Sequence, residues 1–514
     1  MRTTAPSSET LAPEIEPTER PSPPAPFPPA WTLWGLAAVG ALLYLAAFRT
    51  WFYTDDFTWI WWTDHQSWRE ALFSTHVYAY YRPLHCALFK GLYSLFGLRA
   101  GPFVAASLLL HFLHLGLLGL LLRRVFRDAR LVCLALVLYA TSPLYENVIT
   151  WKSNYSAQLS SVFILAALLF QLRWMAAPAR WGAAAGLLVM ATAAFLSKQQ
   201  GIQIVLFYPL AALAFAWTGQ ARATARQTLG LYLALAALCG AYALHDRTAM
   251  VQAYPWFTVQ EHSQPPRQIL ACGMNLLSSE LLFLRAWNSP LALPVANAGR
   301  LLTHAQWLPL ALGALIWWKG NAAERFGWTF ALLNLFPALL ILNMAESRVH
   351  YLGLIGYALL WASLGLRLWY WSWRSRGGRW ARMALLALVA YVLINNVCAL
   401  QMQCLAVGDR AAPRRQLFQA LAGLPANALS PGSGILFPDM PFEEFPFGSG
   451  LFEFVRLARH DDTLTAFNLT PMSPLIYTIA PPRLVAERRQ GRLLLRPLTA
   501  DDRQAAGPWW RWKQ

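Results

Sequence analysis

The chain is short of charge. Of its 514 residues only 13% are Asp, Glu, Lys or Arg, while 57% are hydrophobic; a soluble domain carries about 25% charged residues. That shortage excludes an ordinary soluble globular protein and points to a polytopic membrane protein. Lysine is nearly missing, with 5 Lys against 37 Arg. With abundant Ala and Leu, this bias fits a GC-rich bacterial genome, so the expected location is the bacterial inner membrane. The six Cys lack metal-ligand or redox spacing. Cys133, Cys239 and Cys398 fall inside hydrophobic runs, as buried inert thiols would. Residues 1–30 lack the basic start of a signal peptide and are rich in Pro, Ser and Glu ("PSPPAPFPPA"). They read as a disordered cytoplasmic tail ahead of an uncleaved first helix. The net charge of +17 is scattered between hydrophobic runs rather than massed in one patch, so it excludes a nucleic-acid surface and sets topology instead.

What is present is a series of apolar runs. They lie near 31–49, 101–122, 131–149, 157–172, 181–196, 201–217, 228–244, 303–318, 327–343, 350–370 and 383–401. Each has about the 17–25 residues that a bilayer-spanning helix needs. The expected fold is therefore all-α with about 11 transmembrane helices, spread over residues 31–402. With the N-terminus cytoplasmic, every inside loop is basic, Arg123, Arg124, Arg127 and Arg130 first among them. The run 268–286 holds Glu280 and Arg285 and reads as an interfacial helix, since another span would invert all later loops. Outside then lie the loops 50–100 and 245–302, several tight turns, and residues 403–514. That last piece alternates short apolar stretches with Pro and Gly turns and is expected to form a small α/β periplasmic domain.

Basic residues left outside by this topology need a reason. Arg82 ("YYRPLH"), Lys152 ("TWKSNYS"), Lys198 ("LSKQQG") and Arg348 ("AESRVHY") sit at the outer ends of spans. Four cations at one leaflet suit an anionic group such as a lipid phosphate; the plainer reading is that each snorkels to a headgroup. Beside them stand two adjacent acids, Asp55 and Asp56, in "FYTDDF", within a cluster of seven aromatic residues from Trp51 to Trp62. A carboxylate near the surface can act as a general base. Adjacent residues point in different directions, so the two divide roles: one faces a reacting centre, the other caps the following helix or binds a metal. Both are also what an interfacial helix in an aromatic belt would carry.

Five local patterns occur in one order. "FYTDDF" follows the first helix. "YYRPLHCALFKGLYSLFGL" leads into "LLLHFLHLGLLGLLL". "TSPLYENVITWKSNYSAQLSS", "LSKQQGIQIVLFYPL" and "ESRVHYLGLIGYALL" follow. Together they resemble the GT-C superfamily of membrane glycosyltransferases, and among them bacterial relatives of the transmembrane and tetratricopeptide-repeat O-mannosyltransferases and of the protein O-mannosyltransferases. The resemblance covers about residues 31–400. It implies a polyprenyl-phosphate-linked sugar as donor, a protein or glycan acceptor, and transfer on the outer face with inversion at the sugar. It implies that Asp55 or Asp56 supplies the base, Asp55 first. Arg82, Lys198 and Arg348 fall on its basic positions and, with Lys152, would hold the donor phosphate. Glu346, Gln199, Tyr351 and Asn154 would support them. His111 and His114 match a polar position in the second span, where a structural role fits equally well. No cofactor is implied with certainty, and a divalent metal, Mg or Mn, stays open.

The departures are Gln199 where the family has Glu, Gly353 where it has Pro, and Val349 where it has Tyr. Gln199 removes a charge partner for Lys198. No tetratricopeptide repeats follow, so the acceptor platform differs. An O-antigen ligase or polymerase would use Arg and His in a late loop, for which His262 and Arg267 qualify. A lipid or solute transporter would place charges at the midplane on broken helices. Asn154 and Asn468 match a glycosylation pattern. His460, Asp461 and Asp462 form a polar run that suits a solvated turn better than a metal site, and the Trp369–Trp380 aromatics suit an interfacial girdle.

Overall fold

In a computed structural model of the chain, the residues described are 43–73, 81–143, 146–219, 221–253, 308–340, 351–374, 378–429, 432–437, 451–468, 484–489, 492–497 and 499–501. Most of the expected first span, the interfacial run 268–286, Glu346, Arg348, His262 and Arg267 lie outside them. The helices are α1 (Asp55–His65), α2 (Trp68–Phe73), α3 (Pro83–Phe96), α4 (Ala100–Phe126), α5 (Ala129–Ala140), α6 (Glu146–Thr150), α7 (Tyr155–Ala176), α8 (Trp181–Ser197), α9 (Ile204–Trp217) and α10 (Ala225–Ala253). Then come α11 (Leu308–Lys319), α12 (Ala322–Leu340), α13 (Leu354–Arg374), α14 (Gly378–Asp409), α15 (Ala411–Ala422) and α16 (Leu451–Arg459).

Five helical stretches among the described residues are long and apolar enough to cross a membrane: Ala100–Phe126, Lys152–Ala176, Gln199–Trp217, Ala225–Asp246 and Gly378–Ala422. The chain is a multi-pass membrane protein. The helices pack through small residues where backbones approach, as membrane bundles do. A Cβ on Gly201 would stand 2.4 Å from the Ala194 carbonyl carbon, so the tight turn between α8 and α9 needs a glycine. At Gly353 a Cβ would meet the Asn334 side chain at 2.5 Å, which gives the departure at that position a local packing reason.

Two apolar cores result. The larger fills the bundle, with Leu168, Phe207, Tyr351 and Leu360 among its members. The second joins the segment after the first span to the C-terminal part: Trp51, Phe52, Phe57, Trp59 and Phe103 share it with Leu421, Phe437, Phe454 and Val455. The C-terminal part holds a four-stranded sheet in the order β2-β1-β3-β4, made of β1 (Gly434–Phe437), β2 (Thr465–Asn468), β3 (Leu484–Arg489) and β4 (Arg492–Pro497). Strand β1 pairs in parallel with β2, Gly434 opposite Thr465, and in parallel with β3, Ile435 opposite Leu484. Strand β4 runs antiparallel to β3. Parallel neighbours need a crossover, and α16 sits in the one between β1 and β2.

Candidate active site

The chain enters α1 through a strained residue. Thr54 has φ +48° and ψ −124°, a left-handed setting that is unusual for a β-branched side chain. Its hydroxyl is buried and makes no hydrogen bond. The next two residues are the acids, and the structure separates them.

Asp56 is fully buried. Its Oδ1 accepts from the Ser153 N–H and the Ser153 hydroxyl, both at 2.7 Å, and its Oδ2 accepts from the Tyr53 N–H at 3.2 Å. Burial pushes its carboxyl up to about 6, against the pull of the Lys152 cation and the Ser153 bonds. Lys152 is equally buried and donates to Thr50 Oγ1 at 2.9 Å, to the Trp51 carbonyl at 3.2 Å and to the Thr150 carbonyl at 2.6 Å. This cation, expected at the lipid surface, is turned inward. The pair pins the start of α1 to the turn 152–154. Arg414 of α15, also buried, brings its guanidinium to 5.3 Å from the Tyr53 ring and adds a second cation beside Asp56.

Asp55 is half-buried. Its neighbour in charge is Glu453 of α16, whose carboxyl is raised above the usual glutamate range by burial, with the Asp55 charge adding to it. One Glu453 oxygen, Oε2, is buried without a hydrogen-bond partner. Helix α1 presents Phe57, Trp61 and His65 to the C-terminal part at four-residue spacing, one face of a helix. Phe57 meets Phe454 edge-on at 4.9 Å. Trp61 Nε1 donates to Asp462 Oδ1 at 3.0 Å, and His65 Nε2 lies 2.9 Å from Asp462 Oδ2. Asp461 instead caps its own turn, accepting from the Thr463 N–H at 2.9 Å. Asp462 is thus a latch onto α1. Lys90 closes the far end of that helix by donating to the Thr63 carbonyl at 2.6 Å.

Two further cations, Arg82 and Lys198, act on a histidine that packs against this helix. Arg82, just before α3, donates from Nε at 3.0 Å and Nη2 at 2.7 Å to Gln199 Oε1. Gln199 Nε2 donates in turn to Asp246 Oδ1 at 3.0 Å. Arg82 and Lys198 both act on buried His85, whose imidazole is held well below its usual range by burial first and by these two cations next. The His85 ring stands 4.2 Å from that of Trp59, one turn into α1. Arg82, Lys198 and the acid-bearing helix therefore share one end of the bundle.

The remaining expected residues go elsewhere. Tyr351 lies in the bundle core, its hydroxyl 2.8 Å from His111 Nδ1 and its ring 4.7 Å from that of His114. Tyr139 donates to the Tyr351 carbonyl at 2.7 Å. This cluster bonds helices to one another. Asn154 is buried and donates to the Asn147 carbonyl at 2.9 Å, which closes its turn. Asp246, Glu453, Arg414 and Ser153 did not stand out in the sequence. Of these only Ser153 sat in a stretch singled out above, "TWKSNYS". Among the described residues no group of three or more His, Cys, Asp or Glu side chains gathers to hold a metal ion.

No family model matches the chain, and no curated protein matches it in sequence. Solved structures do match. The apo oligosaccharyltransferase of Archaeoglobus fulgidus aligns with a TM-score of 0.50 at 13% identity, over 85% of this chain and 64% of that one. ArnT from Cupriavidus metallidurans, bound to undecaprenyl phosphate, aligns with a TM-score of 0.47 at 14% identity, over 93% of this chain and 99% of that one. The fold resembles that of the Archaeoglobus fulgidus oligosaccharyltransferase. The acid-bearing segment after the first span and the C-terminal part meet over a shared core that includes Phe57 and Phe454.

Proposed function

We propose that the chain is an integral membrane glycosyltransferase that moves a sugar from a polyprenyl-phosphate carrier to a hydroxyl-bearing acceptor, protein or glycan, at the outer face of the membrane. One observation carries this reading: Arg82 and Lys198 bear on the same buried imidazole, His85, that packs on the helix beginning with Asp55. An acid and two cations at one end of an apolar bundle suit a lipid phosphate better than a soluble nucleotide sugar.

In this reading Asp55 is the base. The acceptor oxygen attacks the anomeric carbon while its proton passes to the Asp55 carboxylate. The bond from that carbon to the phosphate oxygen breaks, and its electron pair stays on the phosphate, with inversion at carbon. Charge grows on the phosphate as it leaves, and Arg82 and Lys198 stabilise it; fixed donors of this kind contribute most when they face the charge that develops. Asp56 cannot share the role, because its three hydrogen bonds and its burial commit it to the fold.

The test is transfer of radiolabelled sugar from a panel of synthetic polyprenyl-phosphate sugars to envelope extracts, using purified protein in nanodiscs. Wild-type protein transfers a sugar from at least one carrier. Its absence with every carrier, or undiminished transfer by Asp55→Asn, overturns the reading.

A further inference from the structure

Helices α5 and α13 run antiparallel. At one end the Tyr139 hydroxyl donates to the carbonyl of Tyr351, just ahead of α13, and at the other Arg130 Nη1 donates to the Tyr370 hydroxyl oxygen at 2.9 Å. From the first end the chain continues into α6 and the turn 152–154, which holds Asp56. Arg130 and Tyr370 therefore lie at the end of the bundle away from the acids. A second guanidinium reaches the same place from α14, where Arg382 Cζ lies 3.9 Å from the centre of the Trp373 ring. Tyr370 and Trp373 are three residues apart, so both cations are held on one face of the last turn of α13.

Both cations are held by neutral groups. A phenol oxygen and an indole face fix their direction and carry no net charge to cancel theirs. Among the described residues neither guanidinium forms an ion pair with a carboxylate. The acids Asp128 and Glu324 are used elsewhere. Asp128 Oδ1 caps α5, accepting the main-chain N–H groups of Arg130 and Leu131 at 2.9 and 3.2 Å. Glu324 is buried and accepts from Arg367 Nη1 at 2.9 Å. Apolar side chains extend this surface: Trp371 beside Tyr370, and Met383 and Leu386 on α14, are exposed. Helix α14 belongs to a stretch long and apolar enough to cross a membrane. A lipid presents a phosphate and acyl chains together, which matches cations bordering such a surface; a soluble anion has nothing to set against the apolar part. Basic loops that only fix topology need no aromatic partners to aim their cations.

We infer that Arg130 and Arg382, set by Tyr370 and Trp373, form a binding site for the phosphate of an anionic membrane phospholipid, whose acyl chains lie along the exposed apolar side of α14. Guanidinium suits the role, since its planar fork of donors matches phosphate oxygens. The site stands at the opposite end of the bundle from Asp55 and does not depend on the proposed transfer reaction.

The test is native mass spectrometry of full-length protein released from nanodiscs of equal parts phosphatidylglycerol and phosphatidylcholine. Wild type retains phosphatidylglycerol in preference, and glycerol 3-phosphate in solution does not displace it. Arg130→Gln and Arg382→Gln each lose about fivefold of that preference, the effect of one cation close to an anionic lipid. Tyr370→Phe breaks the same bond between α5 and α13 but keeps the cation, and stays near wild type. Arg226→Gln, an equal loss of charge at an exposed arginine on the start of α10, leaves the preference unchanged. The inference falls if wild type shows no preference or if neither Arg130→Gln nor Arg382→Gln lowers it. It falls if Arg226→Gln loses as much as Arg130→Gln, since the effect is then one of overall charge. It falls if Tyr370→Phe loses as much, since Arg130 is then a structural tie. Displacement by glycerol 3-phosphate would make the ligand a soluble phosphate and overturn it as well.

Discussion

The Asp56 carboxylate takes both the N–H and the hydroxyl of Ser153, 97 residues further along the chain, at 2.7 Å each. This contact ties the segment after the first span to the turn ahead of α7. The cost of breaking it should be large and structural. Ser153→Ala removes one bond to a charged group, about 1.5–3 kcal/mol. Asp56→Ala and Lys152→Met each leave one buried charge without its partner, which costs about 3–5 kcal/mol. Thermal unfolding in detergent should rank Ser153→Ala as the mildest. An Asp56→Ala protein as stable as wild type would contradict the anchor role.

Asp55 and Asp56 should then separate cleanly in assay. Asp55→Asn leaves folding intact and lowers transfer by about 10²–10⁴-fold, the range for loss of a general base. Asp56→Asn places an N–H toward the Tyr53 N–H or the Ser153 donors, so it lowers the yield of folded protein as well as activity. Transfer rates per folded molecule, set beside the melting curves, decide the point. Equal losses per folded molecule in both variants would mean that the acids are not divided as their bonding indicates.

Much of this arrangement was legible in the sequence, and the limits have physical causes. The apolar runs show helix positions because a bilayer accepts little else; the runs at 101–122 and 157–172 correspond to Ala100–Phe126 and Tyr155–Ala176. Charges against the topology rule marked Arg82 and Lys198, both of which act on His85. The same rule marked Lys152, yet its ammonium is spent on Thr50, Trp51 and Thr150. Periodicity and charge bias report which membrane end a residue occupies, not whether its side chain turns inward. Glu453 and Arg414 lie in stretches without a recognisable pattern. What brings them to the acids is tertiary packing, such as Phe57 on Phe454, which pairs residues almost 400 positions apart.

That packing leads to a prediction for the C-terminal part. Phe454→Ala opens a cavity in the core shared by α1, α15 and α16, at about 3–5 kcal/mol. Asp462→Asn loosens only an exposed latch to His65 and Trp61, within about 1 kcal/mol. Limited proteolysis should therefore release fragments of the C-terminal part from Phe454→Ala at protease levels that spare both Asp462→Asn and wild type. Equal protection of Phe454→Ala would mean that this core does not hold the C-terminal part in place.

The acid anchor also has a pH signature. The Asp56 carboxyl titrates near 6 in the folded protein against an ordinary value of 3.8, because burial disfavours its charge more than Lys152 and Ser153 favour it. Between those two values the folded state holds the proton more tightly than the unfolded chain does. Stability must then fall as pH rises through that window, since the unfolded state binds fewer protons there. Below about pH 4 the group is protonated in both states and contributes no slope, and above about pH 6 it is ionised in both and the loss is complete. Asp56→Asn cannot titrate, so the stability of wild type relative to Asp56→Asn should decline from pH 4 to pH 6 and then level. Chemical unfolding at half-unit steps gives the comparison. A wild type that instead gains on the variant over that window would mean that Lys152 and Ser153 outweigh burial, and that the anchor behaves as an ordinary ion pair.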